Sequence, residues 1–521
     1  MSSKILKSVS TVGGMTLLSR ISGLIRDVLF ANILGDKIAA DIFLVAFRIP
    51  NFFRRIFAEG AFSSAFIPVF TEYRMHQSEQ ESQRFLQLLL GRFGLVLLIF
   101  SLAGVLFAPA MISILAPGFL NDPEKYELTI LATRITFPYL FFISLVAAST
   151  GMLNTCGRFA APAATPVLLN ICLIIAALFF VPHFAESPIA LAFGVLLAGV
   201  VQLLFQYPFL RKEKLMVRPR LIAKKEDKIG NAGVKKVFNL ILPAIFGVSV
   251  AQVNVLINTL LASFLVTGSI SWLYYSDRLM EFPVGVFGIA LSTAILPDLS
   301  RKHAEQSTGA FSGTLDWAAR WVILICIPST VGLVVLSQPM IATIYYHGDF
   351  TVNGVMMSAA SLIAFSFGLT AIVMVKVLAP GFYARQNTKK PVQIGMVAVG
   401  VNILMSLVLV YPFKHVGLAL ATSIAAFCNA GLLYFFLRKE KVFMPGKGWA
   451  LFFVKIAIAA SLMGVAIWWM KSEPTQWLTM SILNRVGELS GLIVLGGGVY
   501  LVGLYLMGVD LMSMWRSKGI D

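Results

Sequence analysis

Charge is what this sequence has least of. Only 13% of its 521 residues are Asp, Glu, Lys or Arg, against 58% hydrophobic, and the mean hydropathy is +0.83. A water-soluble chain of this length exposes far more charge, so an integral membrane protein is indicated. Cysteine is scarce too: Cys156, Cys172, Cys326 and Cys428 lie far apart in apolar surroundings. That spacing fits neither a zinc site nor a disulfide framework, and it reads as buried structural thiols. Five scattered histidines form no ligand cluster. No metal site, no cofactor and no enzyme chemistry of the metal, thiol or triad kind is therefore expected. A nucleotide-binding motif is also missing. The opening MSSKILKSVSTVGG starts basic but runs into a long charged segment instead of a cleavage site.

What is present is a series of apolar runs of helical length. Spans of ~20 residues indicate transmembrane helices, whereas a β-barrel would show short alternating segments. The reading is all-α with fourteen spans, near 8–34, 38–70, 85–115, 128–150, 162–182, 187–210, 236–266, 270–299, 314–345, 355–378, 391–412, 416–437, 448–470 and 487–509. Pro50 is expected to break the second span and Pro283 the eighth. With the N-terminus inside, the inner segments hold 26 Lys and Arg; the outer ones hold four, Lys37, Lys125, Lys414 and Lys471. This asymmetry predicts both termini in the cytoplasm. The net charge of +17 is then largely a topology signal. Its basic clusters border spans without interleaved aromatics, so nucleic acid is not an expected partner.

A shift of 229 residues brings two halves into register. FAEGAFSSAFIPVF (57–70) falls on FGIALSTAILPDLS (287–300), and VLFAPAMISIL (105–115) on VVLSQPMIATI (334–344). The division that follows is an N-terminal lobe of six spans (1–210), a basic cytoplasmic linker (211–236) and a C-terminal lobe of six spans (237–440). The last two spans and a tail occupy 441–521. Six spans per repeat make the repeats parallel, an arrangement that favours a transporter with a central site.

Twelve basic residues remain within or near spans. Arg92, Arg320 and Arg485 lie near span ends and are expected to snorkel. Arg20, Arg26, Arg48, Arg54, Arg55, Arg278 and Lys376 are concentrated deeper, with Asp27, Asp41, Glu59, Asp277 and Glu281 as acidic companions. A charge at the bilayer centre costs about 2.5–3.5 kcal/mol on insertion scales, so these side chains should face a bundle interior or an aqueous cavity. Their spacing supports shared faces: Arg48, Arg55 and Glu59 follow i, i+7, i+11, Arg20 and Asp27 are seven apart, and Asp277 and Glu281 four apart. Ion pairs between helices would explain any one of them. The set has more bases than acids, and a dry interface would leave guanidinium unpaired. A cavity awaiting an anion removes that difficulty. Arginine's planar fork suits phosphate or pyrophosphate better than carboxylate. Along the second span, Arg48 lies about 15 Å and Arg54 about 24 Å from the outer end. Adjacent Arg54 and Arg55 point about 100° apart, so the two are not expected to share a role.

SRISGLIRDVLFANILG (19–35), RIPNFFRRIFAEGAFSSAFIPVFTEY (48–73), SWLYYSDRLMEFPVGVFGIALSTAILP (271–297) and KVLAPGFYARQ (376–386) resemble the MurJ (MviN) family of lipid II flippases. The likeness runs from end to end. That family belongs to the multidrug/oligosaccharidyl-lipid/polysaccharide exporter superfamily. The resemblance implies two six-helix lobes in a V around a central cationic cavity, with the last two spans forming a groove for a lipid tail. It also implies a substrate, lipid II, the undecaprenyl-pyrophosphate-linked peptidoglycan precursor. Lipid II would be moved by alternating access from the cytoplasmic to the periplasmic leaflet of the bacterial inner membrane, for cell-wall synthesis. Carried onto this sequence, the substrate-binding arginines are Arg20, Arg26, Arg54 and Arg278, joined by Arg48 where relatives have lysine. Asp27, Asp41, Arg55, Glu59, Asp277 and Glu281 would exchange ion pairs during the cycle. Some members hold sodium at the seventh span; here 236–266 contains no carboxylate, so no metal is carried over. A monomer is expected, in contact with membrane lipid and with cell-wall elongation and division machinery as partners. A flippase for another polyprenyl-pyrophosphate sugar, such as an O-antigen unit, stays open because the pyrophosphate is shared. A drug/cation antiporter should carry carboxylates and aromatics in its site, and a non-transporting scaffold leaves the arginines unexplained.

Overall fold

A computed structural model describes residues 3–56, 62–224 and 227–516. The described residues contain helices and no β-strand. They divide into two compact units, Met1–Gly268 and Ser269–Asp521.

The first unit contains α1 (Ser3–Leu34), α2 (Ile38–Arg54), α3 (Phe62–His76), α4 (Glu79–Leu106), α5 (Ala108–Leu115), α6 (Pro123–Thr136), α7 (Tyr139–Thr155), α8 (Ala160–Ile175), α9 (Ser187–Lys212) and α10 (Lys228–Ser263). α1 packs on α8, α7 and α8 on α9, α2 on α6, and α10 on α3 and α4. Phe62, Phe66 and Phe70 recur every four residues and so share one face of α3. Their rings stack on one another and on Phe93 and Phe85, with centroids 4.5–6.4 Å apart.

The second unit contains α11 (Ser269–Pro283), a π-helical turn (Val284–Gly288), α12 (Ile289–Ala304), α13 (Thr308–Val335), α14 (Ser337–Tyr345) and α15 (Val352–Tyr383). Then come α16 (Lys389–Lys439), α17 (Trp449–Met470), α18 (Pro474–Thr479), α19 (Ile482–Leu506) and α20 (Leu511–Arg516). Lys414, at φ 52°, kinks α16 between the runs 391–412 and 416–437. α15 packs on α11, α13 and α16, and α17 on α13 and α19.

Among the described residues, ten helices are long and apolar enough to cross a membrane. The predicted spans outside those ten are 8–34, 38–70 and 236–266. Two of these have visible causes: α2 has only 17 residues and carries Asp41, Arg48 and Arg54, and Arg20 and Arg26 lower the hydropathy of α1.

The prolines divide in their effect. Pro283 ends α11 as expected, and a π-helical turn follows it. Pro50 does not break its helix: α2 runs through it to Arg54, and the next described helix starts at Phe62. Pro50 has no N–H for the Ala46 carbonyl. Thr136 of α6 takes that place, its Oγ1 donating to Ala46 O at 3.2 Å. The same device occurs in the second unit, where Pro328 leaves the Leu324 carbonyl and the Tyr500 hydroxyl of α19 donates to it at 2.7 Å.

Within the basic linker, residues 213–224 lie as a non-helical strap on α4. Arg220 N donates to Gln87 O (2.8 Å), and Arg92 Nε donates to Leu221 O (3.1 Å). Buried Asp227 accepts from Arg220 Nη2 (3.1 Å) and Lys224 N (2.7 Å). Gly91 makes this approach feasible, because a Cβ there would stand 2.2 Å from the Arg220 carbonyl oxygen. Arg485, expected to snorkel, is instead buried. Its guanidinium donates to the Ala342 and Tyr346 carbonyls at the end of α14 (3.2 and 3.1 Å) and to Leu478 O (2.9 Å). The freed carbonyls of a helix end hold it there.

Candidate functional site

The arginines of this set fall on or at the end of three helices, α1, α2 and α11, and Lys376 falls on α15. On α1, Arg26 and Asp27 are both buried. Arg26 Nε and Nη2 donate to Asp27 Oδ1 at 3.0 and 2.6 Å, and Nη1 donates to Asn170 Oδ1 of α8 at 2.8 Å. Asn170 is itself fixed, its Nδ2 donating to Ser19 O (2.9 Å) and Ser22 Oγ (3.0 Å). This network fastens α1 to α8. Arg20, two turns earlier on α1, is half-buried and makes no ion pair or hydrogen bond among the described residues.

On α2 the arginines reach α10. Arg48 Nη1 donates to Thr259 Oγ1, and Arg55 Nη1 donates to Gln252 Oε1 at 3.2 Å. Both residues of each helix are seven apart, so the two bonds form rungs on one face of each helix, which run antiparallel. Arg54, between them, donates through Nε to Asn51 Oδ1 at 2.9 Å. The 100° separation of Arg54 and Arg55 thus sends them to different partners. Arg55 has a neutral amide as acceptor here. Glu59 lies outside the described residues.

Asp41 sits far from these arginines along α2, in its first turn. Its Oδ2 accepts from Lys125 Nζ at 3.0 Å and from Gly268 N at 2.9 Å. Lys125 is only 5% exposed, against its expected place in an outer loop, and its Nζ lies 4.0 Å from the Phe119 ring centre. On α11, Arg278 Nη1 pairs with Glu281 Oε2 at 3.0 Å, and its guanidinium covers the Tyr274 ring at 4.9 Å. Both side chains remain partly exposed. Asp277 is half-buried beside them in sequence.

Lys125, Asn170, Thr259 and Gln252 are the partners that reading the sequence missed. Three are neutral and indistinguishable from other polar residues in spans. The fourth looked like an ordinary loop lysine.

A separate apolar cleft of 440 Å³ lies in the second unit, walled by α13, α17, α19 and α20. Trp321, Pro328, Met463, Ile467, Gly496 and Leu504 are among its lining. The Tyr500 hydroxyl in its wall is satisfied by Leu324 O, so little polarity faces the space.

Many apolar membrane helices, cations held within them and an apolar cleft beside the last long helices define a multi-pass membrane transporter. Residues 30–487 match the family described as Lipid II flippase MurJ, and the chain belongs to that family. It is 44% identical over 520 residues to the probable lipid II flippase MurJ of Vibrio cholerae, covering 98% of each chain. With the lipid II flippase MurJ of Burkholderia cenocepacia it shares 38% identity, covering 96% of this chain and 97% of the other. Among solved structures, a lipid II flippase MurJ in an inward closed conformation superposes with a TM-score of 0.79 at 28% identity, covering 96% of this chain and 99% of the other. A multidrug resistance MATE family transporter of the MOP superfamily, at 15% identity and a TM-score of 0.65 over 81% of this chain and 94% of the other, shares the fold.

Proposed function

We propose that this protein translocates lipid II from the cytoplasmic to the periplasmic leaflet of the bacterial inner membrane, by alternating access around a cationic site. The observation that carries this reading is the family membership joined to arginines held inside membrane helices. Arg20, Arg26, Arg48, Arg54 and Arg278 bind the pyrophosphate, whose paired oxygens match guanidinium forks. Asp27, Asp41, Arg55, Glu59, Asp277 and Glu281 supply ion pairs that differ between the two states, as a two-state cycle demands. The polyprenyl tail rests in the apolar cleft beside α17 and α19 and stays out of the polar site. No bond is made or broken, so the protein is a carrier and not an enzyme.

The same reading takes fourteen spans, both termini cytoplasmic, and lobes of 1–210 and 237–440 joined by 211–236, with 441–521 appended. Helix bounds support the repeat: α4 and α13 begin at Glu79 and Thr308 and end at Leu106 and Val335, each 229 apart. α5 and α14 likewise begin 229 apart, at Ala108 and Ser337. By this register α10 corresponds to α1, although it packs on α3 and α4. The protein acts as a monomer beside the cell-wall elongation and division machinery. Conditional depletion tests the function: lipid II should accumulate in the inner leaflet, and a depleted strain with normal periplasmic-side lipid II would refute it.

A further inference from the structure

Lys376 belongs to none of the networks above. α15 carries it seven residues before its end at Tyr383, and its side chain is half-buried. Among the described residues it makes no ion pair or hydrogen bond. Snorkelling does not suit it, since Val377, Leu378, Ala379, Pro380 and Phe382 after it are all buried in protein. An ion inside a span with no counter-charge needs water or an anion.

The surroundings are shaped for this side chain. Gly288 closes the π-helical turn after α11, and a Cβ there would lie 2.9 Å from Lys376 Cδ and 3.7 Å from Cε. Glycine leaves the lysine stem room to lie across that turn, and a Cβ there would make the stem shift. On the backbone, Pro380 stands four residues on and has no N–H to give the Lys376 carbonyl. One residue thus offers both a cation and an acceptor freed from the helix.

We propose that Lys376 binds an oxyanion of the transported lipid-linked glycopeptide, with Gly288 positioning its stem; this rests on the flippase reading above. An ammonium is a compact point charge without a fork, suited to one carboxylate or one phosphate oxygen. Gly288 lies ten residues beyond Arg278, about 15 Å along the helical rod at ~1.5 Å per residue. A second anionic group of an elongated headgroup, or the first group at another stage of transport, therefore meets Lys376.

The test uses the full-length protein in nanodiscs, with binding measured for lipid II and for an undecaprenyl-pyrophosphate saccharide lacking peptide. A parent protein that fails to bind lipid II overturns the flippase reading, and this inference with it. Given parental binding, Lys376→Gln should weaken lipid II binding about tenfold or more, as for loss of a charge-assisted hydrogen bond. Lys376→Arg should recover most of the loss. Gly288→Ala should weaken binding by itself and add nothing to Lys376→Gln. A loss confined to lipid II assigns the anion to a peptide carboxylate; a loss shared by both ligands assigns it to pyrophosphate. Parental affinity for both ligands in a Lys376→Gln protein that melts like the parent overturns the proposal. Should that variant not fold, Gly288→Ala decides it: parental affinity there overturns the proposal equally.

Discussion

Lys125 Nζ lies 3.0 Å from Asp41 Oδ2, and the two side chains are 6% and 2% exposed. They join the first turns of α6 and α2. Removing either charge leaves the other buried and uncompensated, which costs about 3–5 kcal/mol. Lys125→Met and Asp41→Asn should each lower the thermal stability of the purified protein. The double variant should lose less than the two losses added, and strict additivity would show that the pair is not energetically coupled.

Arg20 and Arg26 should separate function from stability. Arg26 is held by Asp27 and Asn170, so Arg26→Ala should abolish complementation of a depletion strain and also lower the melting temperature. Arg20 has no such bonds among the described residues, so Arg20→Ala should lose complementation at parental thermal stability. An Arg20→Ala strain growing normally would remove Arg20 from the substrate site.

Gly91 controls the strap. An alanine there would drive its Cβ into the Arg220 backbone, while one at Gly94, three residues on, meets nothing within 4 Å. Trypsin should therefore cut Gly91→Ala faster than the parent at exposed Lys224, and Gly94→Ala at the parental rate. Equal rates for all three would mean that the strap is not held by this contact.

Tyr500 and Pro328 form a conditional pair. Tyr500→Phe strands the Leu324 carbonyl and should destabilise by about 1–3 kcal/mol, the cost of a buried acceptor left unsatisfied. In a Pro328→Ala background the chain supplies its own N–H, and the same substitution should cost much less in a thermal melt. A Tyr500→Phe effect of the same size in both backgrounds would contradict the mechanism.

The helices were legible because hydropathy reports how long a segment stays out of water. For the same reason the arginines stood out, since each is an obvious exception within an apolar run. Hydropathy says nothing about what lies sideways. The bonds from Arg26 to Asn170, from Arg48 to Thr259 and from Arg55 to Gln252 join residues 144, 211 and 197 positions apart through neutral acceptors. Pro50 was misread for a related reason: its local effect is certain, but the hydroxyl that repairs it comes from Thr136, on another helix. Lys125 sits at a helix start that the basic-residue count could treat only as a loop, because the count knows nothing of burial.

The carbonyls of Ala46 and Leu324 have a consequence for how the bundle is assembled. In hydrocarbon one leucine-rich face is much like another, and helices gain little preference for a particular neighbour from apolar contact alone. A proline changes that by leaving one oxygen bare, at several kcal/mol if lipid surrounds it. That oxygen acts as an address: α2 is satisfied when α6 arrives with Thr136 at the right height, and α13 when α19 brings Tyr500. A neighbour in the wrong register leaves the oxygen exposed. Two residues that weaken their own helices thereby specify which helices stand beside them.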